Sequence, residues 1–107
     1  MTRETVILRL IYEAIDVVNE GLPPGATLEK APELALFGAE GRLDSLGLVE
    51  LLAETELRLQ DEFSVSVSLV DDRALSQRNS PFRSVASLAN YAAAVLGSEL
   101  SGSEAGE

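Results

Sequence analysis

One run of five residues, Leu43-Asp44-Ser45-Leu46-Gly47, combines an acid and a hydroxyl in a pattern that could support chemistry. Asp and Ser are both good N-cap residues, so the run predicts the start of a helix. A cap explains one such residue well, but it does not explain an acid followed by a hydroxyl. A phosphate ester on Ser45 would lie against free backbone N–H groups and the positive end of the helix dipole. The run therefore predicts either a plain cap or a modification site on Ser45.

Catalysis by the chain's own side chains is poorly supported. The sequence has no cysteine and no histidine. Thiol nucleophiles, thiolate metal sites, the commonest metal ligand and the commonest general base are therefore missing. A hydrolase could use paired carboxylates such as Glu50 and Glu54, but these lie one helical turn apart on a solvated face without an enclosing pocket. We expect a protein that is not an enzyme and that binds no metal.

The charge of the chain is strongly negative and unevenly spread. Eight basic and 18 acidic residues give a net charge of −10, which disfavours nucleic-acid binding because phosphate recognition needs Lys and Arg. Half of this excess lies between residues 44 and 63, where Arg58 is the only base. This segment predicts either a solvated helix face or an acidic docking surface. Its six acids are Asp44, Glu50, Glu54, Glu56, Asp61 and Glu62.

The sequence carries no sign of export or membrane insertion. No apolar run reaches the ~18 residues of a membrane span, and the N-terminus lacks a signal-peptide core. We therefore expect a cytoplasmic protein.

Apolar residues recur at helical spacing in three stretches of the sequence. These predict helices from Arg3 to Asn19, from Asp44-Ser45 to about Glu62, and from a Ser84 cap to about Leu96. Thr2 can cap the first helix, and Gly21 ends it. Gly97 closes the last helix, so residues 1–97 form one domain and residues 98–107 form a disordered acidic tail.

The connections between these helices contribute further core residues. We expect Glu33–Phe37 to form a helical turn that brings Leu34 and Phe37 onto the core. The alternating stretch Ser64–Val70 has no partner strand, so it predicts an extended connector that buries Val65, Val67 and Leu69. A short helical turn at Asp72–Leu75 and a polar loop, Ser76–Arg83, follow. The predicted fold is a small all-α bundle of three main helices with short helical turns and long loops.

The second predicted helix has two apolar faces. A broad core face contains Leu48, Leu51, Leu52, Leu59 and Phe63, and the opposite face carries Glu50, Glu54, Arg58 and Asp61. A narrower stripe of Leu46, Val49, Ala53 and Leu57 lies between them. A helix with one core face does not need this stripe, so we expect it to rim a pocket or to contact a partner. Ordinary core packing is the alternative for Leu46 and Val49.

Residues 3–97 resemble the acyl carrier protein family, whose bundle is commonly described as four-helix. Asp44-Ser45-Leu46 matches the family's modification motif, and Val49-Glu50-Leu51 follows at the family's spacing. Glu62-Phe63 is similar to the end of the family's second helix. Ser84-Val85 and Tyr91 match the start and the middle of its last helix.

The chain departs from the family pattern at four places. Arg42 stands where the family commonly has a glycine, three residues before the serine. The second helix is about one turn longer than usual, the Ser76–Arg83 loop is longer and more basic, and the first loop is long as well. With these differences, the chain resembles a specialised, free-standing carrier. They leave open which partner enzymes would recognise it.

The resemblance implies that Ser45 carries 4′-phosphopantetheine, with Asp44 and Leu46 beside the attachment point. A phosphopantetheinyl transferase would attach the arm from coenzyme A, and its terminal thiol would hold an acyl or aminoacyl group as a thioester. The implied partners are an acyl- or aminoacyl-activating ligase and condensing or acyl-transfer enzymes of fatty acid, polyketide or secondary metabolite biosynthesis. Basic patches on these enzymes would dock on the carrier, which is expected to be a monomer.

Within this implied docking surface, Leu46 and Val49 supply the apolar contacts. Glu50, Glu54 and Glu56 steer basic partners. Arg83 has two open roles: an internal ion pair, or recognition of the arm's phosphate or an acidic partner. The acids that could form the internal pair are Asp61, Glu62, Asp71 and Asp72. An unmodified acidic helical interaction or adaptor module is the alternative function, since it needs the same fold and charge but has no use for Ser45.

Overall fold

Three α-helices make up most of the described chain. The computed structural model describes residues 2–37, 43–69 and 82–105, with side chains for 2–37, 43–44, 46–69 and 82–97. The helices are α1 (Arg3–Glu20), α2 (Ser45–Phe63) and α3 (Val85–Ala105), and a short 3₁₀ turn spans Pro24–Ala26. The predicted all-α bundle is confirmed. Three helices in these ranges do not make a four-helix bundle, and the turn expected at Asp72–Leu75 lies outside the described residues.

Helix α1 is the element against which the other two helices pack. The Thr2 hydroxyl caps it by accepting a hydrogen bond from the Thr5 N–H at 3.2 Å. Gly21 ends it as predicted, with its N–H donating to the Val18 carbonyl at 3.1 Å. The buried face of α1 is aliphatic and consists of Ile7, Leu10, Ile11, Ala14, Ile15 and Val18.

The prediction of a helical turn at Glu33–Phe37 is wrong, because this segment pairs with the residue that precedes α3. Ala35 and Ser84 form an isolated antiparallel β-bridge, and the Val85 N–H donates to the Leu34 carbonyl at 3.0 Å. This bond satisfies one of the orphan N–H groups at a helix N-terminus. The extended backbone buries Leu36 completely, while Leu34 and Phe37 pack only partly buried against the core.

The last helix begins as predicted but ends later. The Ser84 hydroxyl accepts a hydrogen bond from the Ser87 N–H at 3.1 Å, which caps α3. Gly97 does not close the helix, and residues 98–105, expected as a disordered tail, continue it to Ala105. Gly97 lacks the left-handed conformation of a terminating glycine, and a glycine inside a helix costs only about 1 kcal/mol relative to alanine.

The connector after α2 is extended, as predicted. Ser64 ends the helix in the left-handed region at φ 55°, and its N–H donates to the Gln60 carbonyl at 2.9 Å. Val67 and Leu69 are buried, and Val65 packs partly buried against the core. Residues 70–81, which include Arg73 and Arg78, lie outside the described residues.

Phe82 belongs to the core and not to a polar loop. Its side chain is completely buried and meets Tyr91 edge to face, with the ring centroids 5.5 Å apart and the planes at 83°. Aromatic rings favour this arrangement because the positive edge of one ring meets the negative face of the other. The end of the Ser76–Arg83 segment is therefore anchored on α3.

Candidate functional site

The junction that leads into α2 is held from both sides. Before the helix, the Leu43 N–H donates to the Leu36 carbonyl at 2.9 Å, and the Leu43 side chain is buried. Asp44 is the N-cap, and its Oδ1 accepts a hydrogen bond from the Gly47 N–H at 2.8 Å. Ser45 is the first residue of the helix. The predicted start of α2 is thus confirmed, and Ser45 occupies a position fixed by the core and by the cap.

Gly47 allows this cap to close tightly. A Cβ atom added at Gly47 would lie 3.1 Å from Cδ2 of Leu43 and 3.2 Å from Oδ1 of Asp44. Both contacts are shorter than ordinary van der Waals distances, so a larger residue would push the cap or the Leu43 side chain away. The glycine that ends the five-residue run therefore serves the geometry of the junction.

The narrow apolar stripe of α2 points away from the core. Leu46 is 77% exposed, Leu57 60% and Val49 37%, and Ala53 is exposed as well. At 100° per residue, these side chains lie roughly opposite the buried face of the helix. We call them the apolar ridge: Leu46, Val49, Ala53 and Leu57. Core packing of Leu46 and Val49 is excluded. Of the acids predicted to lie opposite the core, Glu50 and Asp61 are exposed and Glu54 is partly buried.

The acids of α2 lie beside the ridge, and they differ in their surroundings. Glu54 is partly buried and accepts a hydrogen bond from Arg58 Nη1 at 2.7 Å. Arg58 also reaches Glu13 of α1, with Nε 3.8 Å from Oε1. Glu50 and Asp61 are exposed and form no ion pair within the part of the chain that the structure describes. Among the described residues, the negative charge without an ion pair on this flank therefore lies at Glu50 and Asp61.

Glu56 lies on the other flank and holds the connector. Its Oε2 accepts a hydrogen bond from the Leu69 N–H at 2.6 Å. One turn later, Gln60 Nε2 donates to the Val67 carbonyl at 3.1 Å. These two contacts fasten the extended chain along the side of α2. The Glu56 carboxylate thus has a structural partner, and its role in docking stays a prediction.

Arg83 is positioned by its backbone. Its carbonyl accepts a hydrogen bond from the Leu36 N–H at 2.7 Å, while its side chain is exposed. Of the four acids named for an internal pair, Glu62 instead contacts Arg9, with Oε1 3.5 Å from Nη2, and Asp71 and Asp72 lie outside the described residues. Arg83 forms no ion pair with the side chains that the structure describes, and both of its roles stay predictions.

Two residues that support the site were missed in the sequence. Leu36 anchors the junction, yet nothing in its local spacing separates it from Leu34 and Phe37. Thr55 is completely buried in α2, and its hydroxyl donates to the Leu51 carbonyl at 2.8 Å. Winding the helix would have placed Thr55 on the core face with Leu48, Leu52 and Leu59, so the pattern contained that signal.

Comparison of this chain with protein-family models, with curated proteins and with solved structures finds no match. Within the described ranges, no three acidic side chains come together as a possible metal site. No helix in the same ranges is long and apolar enough to cross a membrane.

Proposed function

We propose that this protein is an acyl carrier protein that carries acyl or aminoacyl groups on a 4′-phosphopantetheine arm attached to Ser45. The observation that supports the proposal is the junction at the start of α2. There an Asp44-capped helix begins at Ser45, directly before an exposed leucine, Leu46. This arrangement offers one serine at a loop–helix boundary, where a second enzyme can reach the backbone from outside. We also propose that the protein is cytoplasmic and monomeric.

The first turn of α2 suits a phosphate ester. The N–H groups of a first helical turn have no partners within the helix, and they favour a negative group placed there. Asp44 uses one of them, the N–H of Gly47. The others can stabilise an ester on Ser45. When attached, the arm supplies the thiol that the cysteine-free chain lacks.

The chain's own residues then position the arm and receive its partners. Leu36 and Leu43 fix the junction to the core through a backbone hydrogen bond, so the arm has a rigid base. Leu46 and Val49 offer apolar contact area next to it. Glu50 is exposed, and its negative charge attracts basic surfaces and raises the rate of encounter. The partners are a phosphopantetheinyl transferase, an activating ligase, and condensing or acyl-transfer enzymes.

The test is the intact mass of the protein after incubation with coenzyme A and a promiscuous phosphopantetheinyl transferase. Wild type should gain the mass of one arm, and Ser45→Ala should gain none while keeping its helical circular dichroism. Ser84→Ala is the matched control, because Ser84 also lies at the start of a helix and should not affect loading. A Ser45→Ala protein that still gains the arm, or a wild type that gains none, would contradict the proposal.

An unmodified acidic interaction or adaptor module is the second candidate. The apolar ridge and the exposed acids Glu50 and Asp61 favour it, since a binding surface of this kind does not need Ser45. The same intact-mass experiment distinguishes the two candidate functions. An adaptor binds its partner equally well as wild type and as Ser45→Ala, and it gains no mass.

A further inference from the structure

Arg83 lies one backbone segment away from the entrance of the helix that begins at Ser45. Its carbonyl accepts a hydrogen bond from the Leu36 N–H at 2.7 Å, and the Leu36 carbonyl accepts one from the Leu43 N–H at 2.9 Å. Leu36 therefore bridges Arg83 and Leu43. Because paired extended backbones lie about 4.8 Å apart, the backbones of Arg83 and Leu43 are separated by roughly 10 Å at most. Ser45 follows Leu43 by two residues.

The side chain of Arg83 is at the surface beside this junction. Phe82 and Leu43 are buried, whereas the residues that follow them, Arg83 and Asp44, are exposed. The long stem of an arginine carries its guanidinium well away from the backbone. A phosphate ester extends the side chain of a serine in the same way. The guanidinium of Arg83 and a phosphate on Ser45 can therefore meet at the surface of the junction.

The other bases of the described ranges are paired or lie elsewhere. Each of three bases contacts a carboxylate: Arg9, Lys30 and Arg58. Nη1 of Arg3 lies 3.7 Å from the position of a Cβ at Gly97, far along α3 from its start at Val85. Among the bases that the structure describes, Arg83 is therefore the one that is exposed beside the junction without a carboxylate.

We propose that Arg83 holds the phosphate of the arm attached to Ser45. This inference rests on the proposed function, since that function supplies the phosphate. A phosphodiester on Ser45 adds a negative charge next to the Asp44 carboxylate, in a chain whose net charge is already −10. The first turn of α2 offsets part of this repulsion, but Asp44 already uses the Gly47 N–H. A guanidinium supplies positive charge, and its planar fork suits bidentate contact with phosphate oxygens.

Arg83 acts on the position of the arm and not on its chemistry. The phosphate is at the base of the arm, and the thiol that carries the cargo is at its far end. A second contact at the base limits the directions in which the arm can leave the junction. Arg83 is therefore a positioning residue, and its loss should change the surroundings of the phosphate without preventing attachment.

The test is phosphorus NMR of the full chain after a promiscuous transferase has attached the arm. Removing a cation beside a phosphate changes its chemical shift, so Arg83→Gln should move the resonance toward that of the loaded protein in urea. Arg83→Lys keeps the charge but not the fork and should give an intermediate shift. Sodium chloride at about 1 M should move the wild-type resonance in the same direction, because the Debye length falls to about 3 Å. The Nε signal of Arg83 should itself shift between the unloaded and the loaded protein.

Arg3→Gln is the matched control. It also removes an exposed arginine, but one that lies beside Gly97. The phosphorus resonance of loaded Arg3→Gln should equal that of wild type. The Tm of every variant is measured by circular dichroism on the same samples, and Arg83→Gln should melt close to wild type because surface substitutions change stability little.

An identical phosphorus resonance in loaded wild type and loaded Arg83→Gln would overturn the inference and leave the carrier function standing. A large fall in the Tm of Arg83→Gln with an unchanged resonance would assign Arg83 to an internal ion pair instead. A wild type that gains no arm would overturn both proposals, and its intact mass shows this before any resonance is recorded.

Discussion

Asp44 is predicted to act on Ser45 through its cap and not through its charge. In Asp44→Ala, the Gly47 N–H loses its acceptor, which lies 2.8 Å away in the native junction. In Asp44→Asn, an amide oxygen of the same shape can still accept that bond, while the negative charge is gone. Asn and Asp are about equally good at this position. The two variants therefore separate the hydrogen bond from the charge.

The expected magnitudes follow from the cap. Loss of an N-cap side chain costs about 1 kcal/mol, and in a domain of this size each kcal/mol lowers Tm by roughly 4–8 °C. Asp44→Ala should show this decrease. Asp44→Asn should lose at most the attraction between a carboxylate and the helix dipole, about 0.3–1 kcal/mol. Because a frayed first turn no longer holds Ser45 in place, loading by the transferase should slow in Asp44→Ala and recover in Asp44→Asn.

Two quantities are measured for each variant: the Tm, from thermal unfolding monitored by circular dichroism, and the initial rate of arm attachment. Asp61→Ala is the control, because Asp61 is an exposed acid on the same helix without a capping role. Its removal near the helix C-terminus should leave Tm unchanged or slightly higher. An Asp44→Ala protein with native Tm would refute the cap argument. An Asp44→Asn protein that loads as slowly as Asp44→Ala would show that the charge is what the transferase needs.

Three further predictions concern the supports of the site. Leu36→Ala should destabilise the protein by about 2–5 kcal/mol, because it empties a fully buried position; its midpoint in urea should fall well below that of Leu34→Ala. Glu56→Ala should speed amide hydrogen exchange at Leu69, whose N–H it bonds, whereas Glu56→Gln keeps an acceptor and should exchange like wild type. Ser64→Gly should raise stability by up to about 1 kcal/mol, since glycine tolerates the left-handed φ of 55° that costs serine free energy, and a lower urea midpoint would contradict this.

The sequence alone determined the elements whose signals are local. Helical spacing and the caps at Thr2, Asp44 and Ser84 predicted where the three helices begin, because an N-cap depends on only four consecutive residues. The same run of residues identified Ser45 as the candidate site. The extended connector was also predictable, because a stretch with strand-like alternation cannot form a stable sheet without a partner strand.

Periodicity assigned the broad leucine face of α2 to the core, and Leu48, Leu51, Leu52 and Leu59 are buried there. Only the tertiary structure decided that the narrower stripe faces solvent, because the sequence pattern left open whether Leu46 and Val49 pack in the core. Packing also placed Glu54 against Arg58 and Glu56 against the connector, and it left Glu50 and Asp61 without an ion pair among the described residues. These outcomes depend on residues far apart in the chain, as do the bridge between Ala35 and Ser84 and the burial of Phe82. Local patterns determine the helices, and long-range contacts determine which of their side chains are exposed.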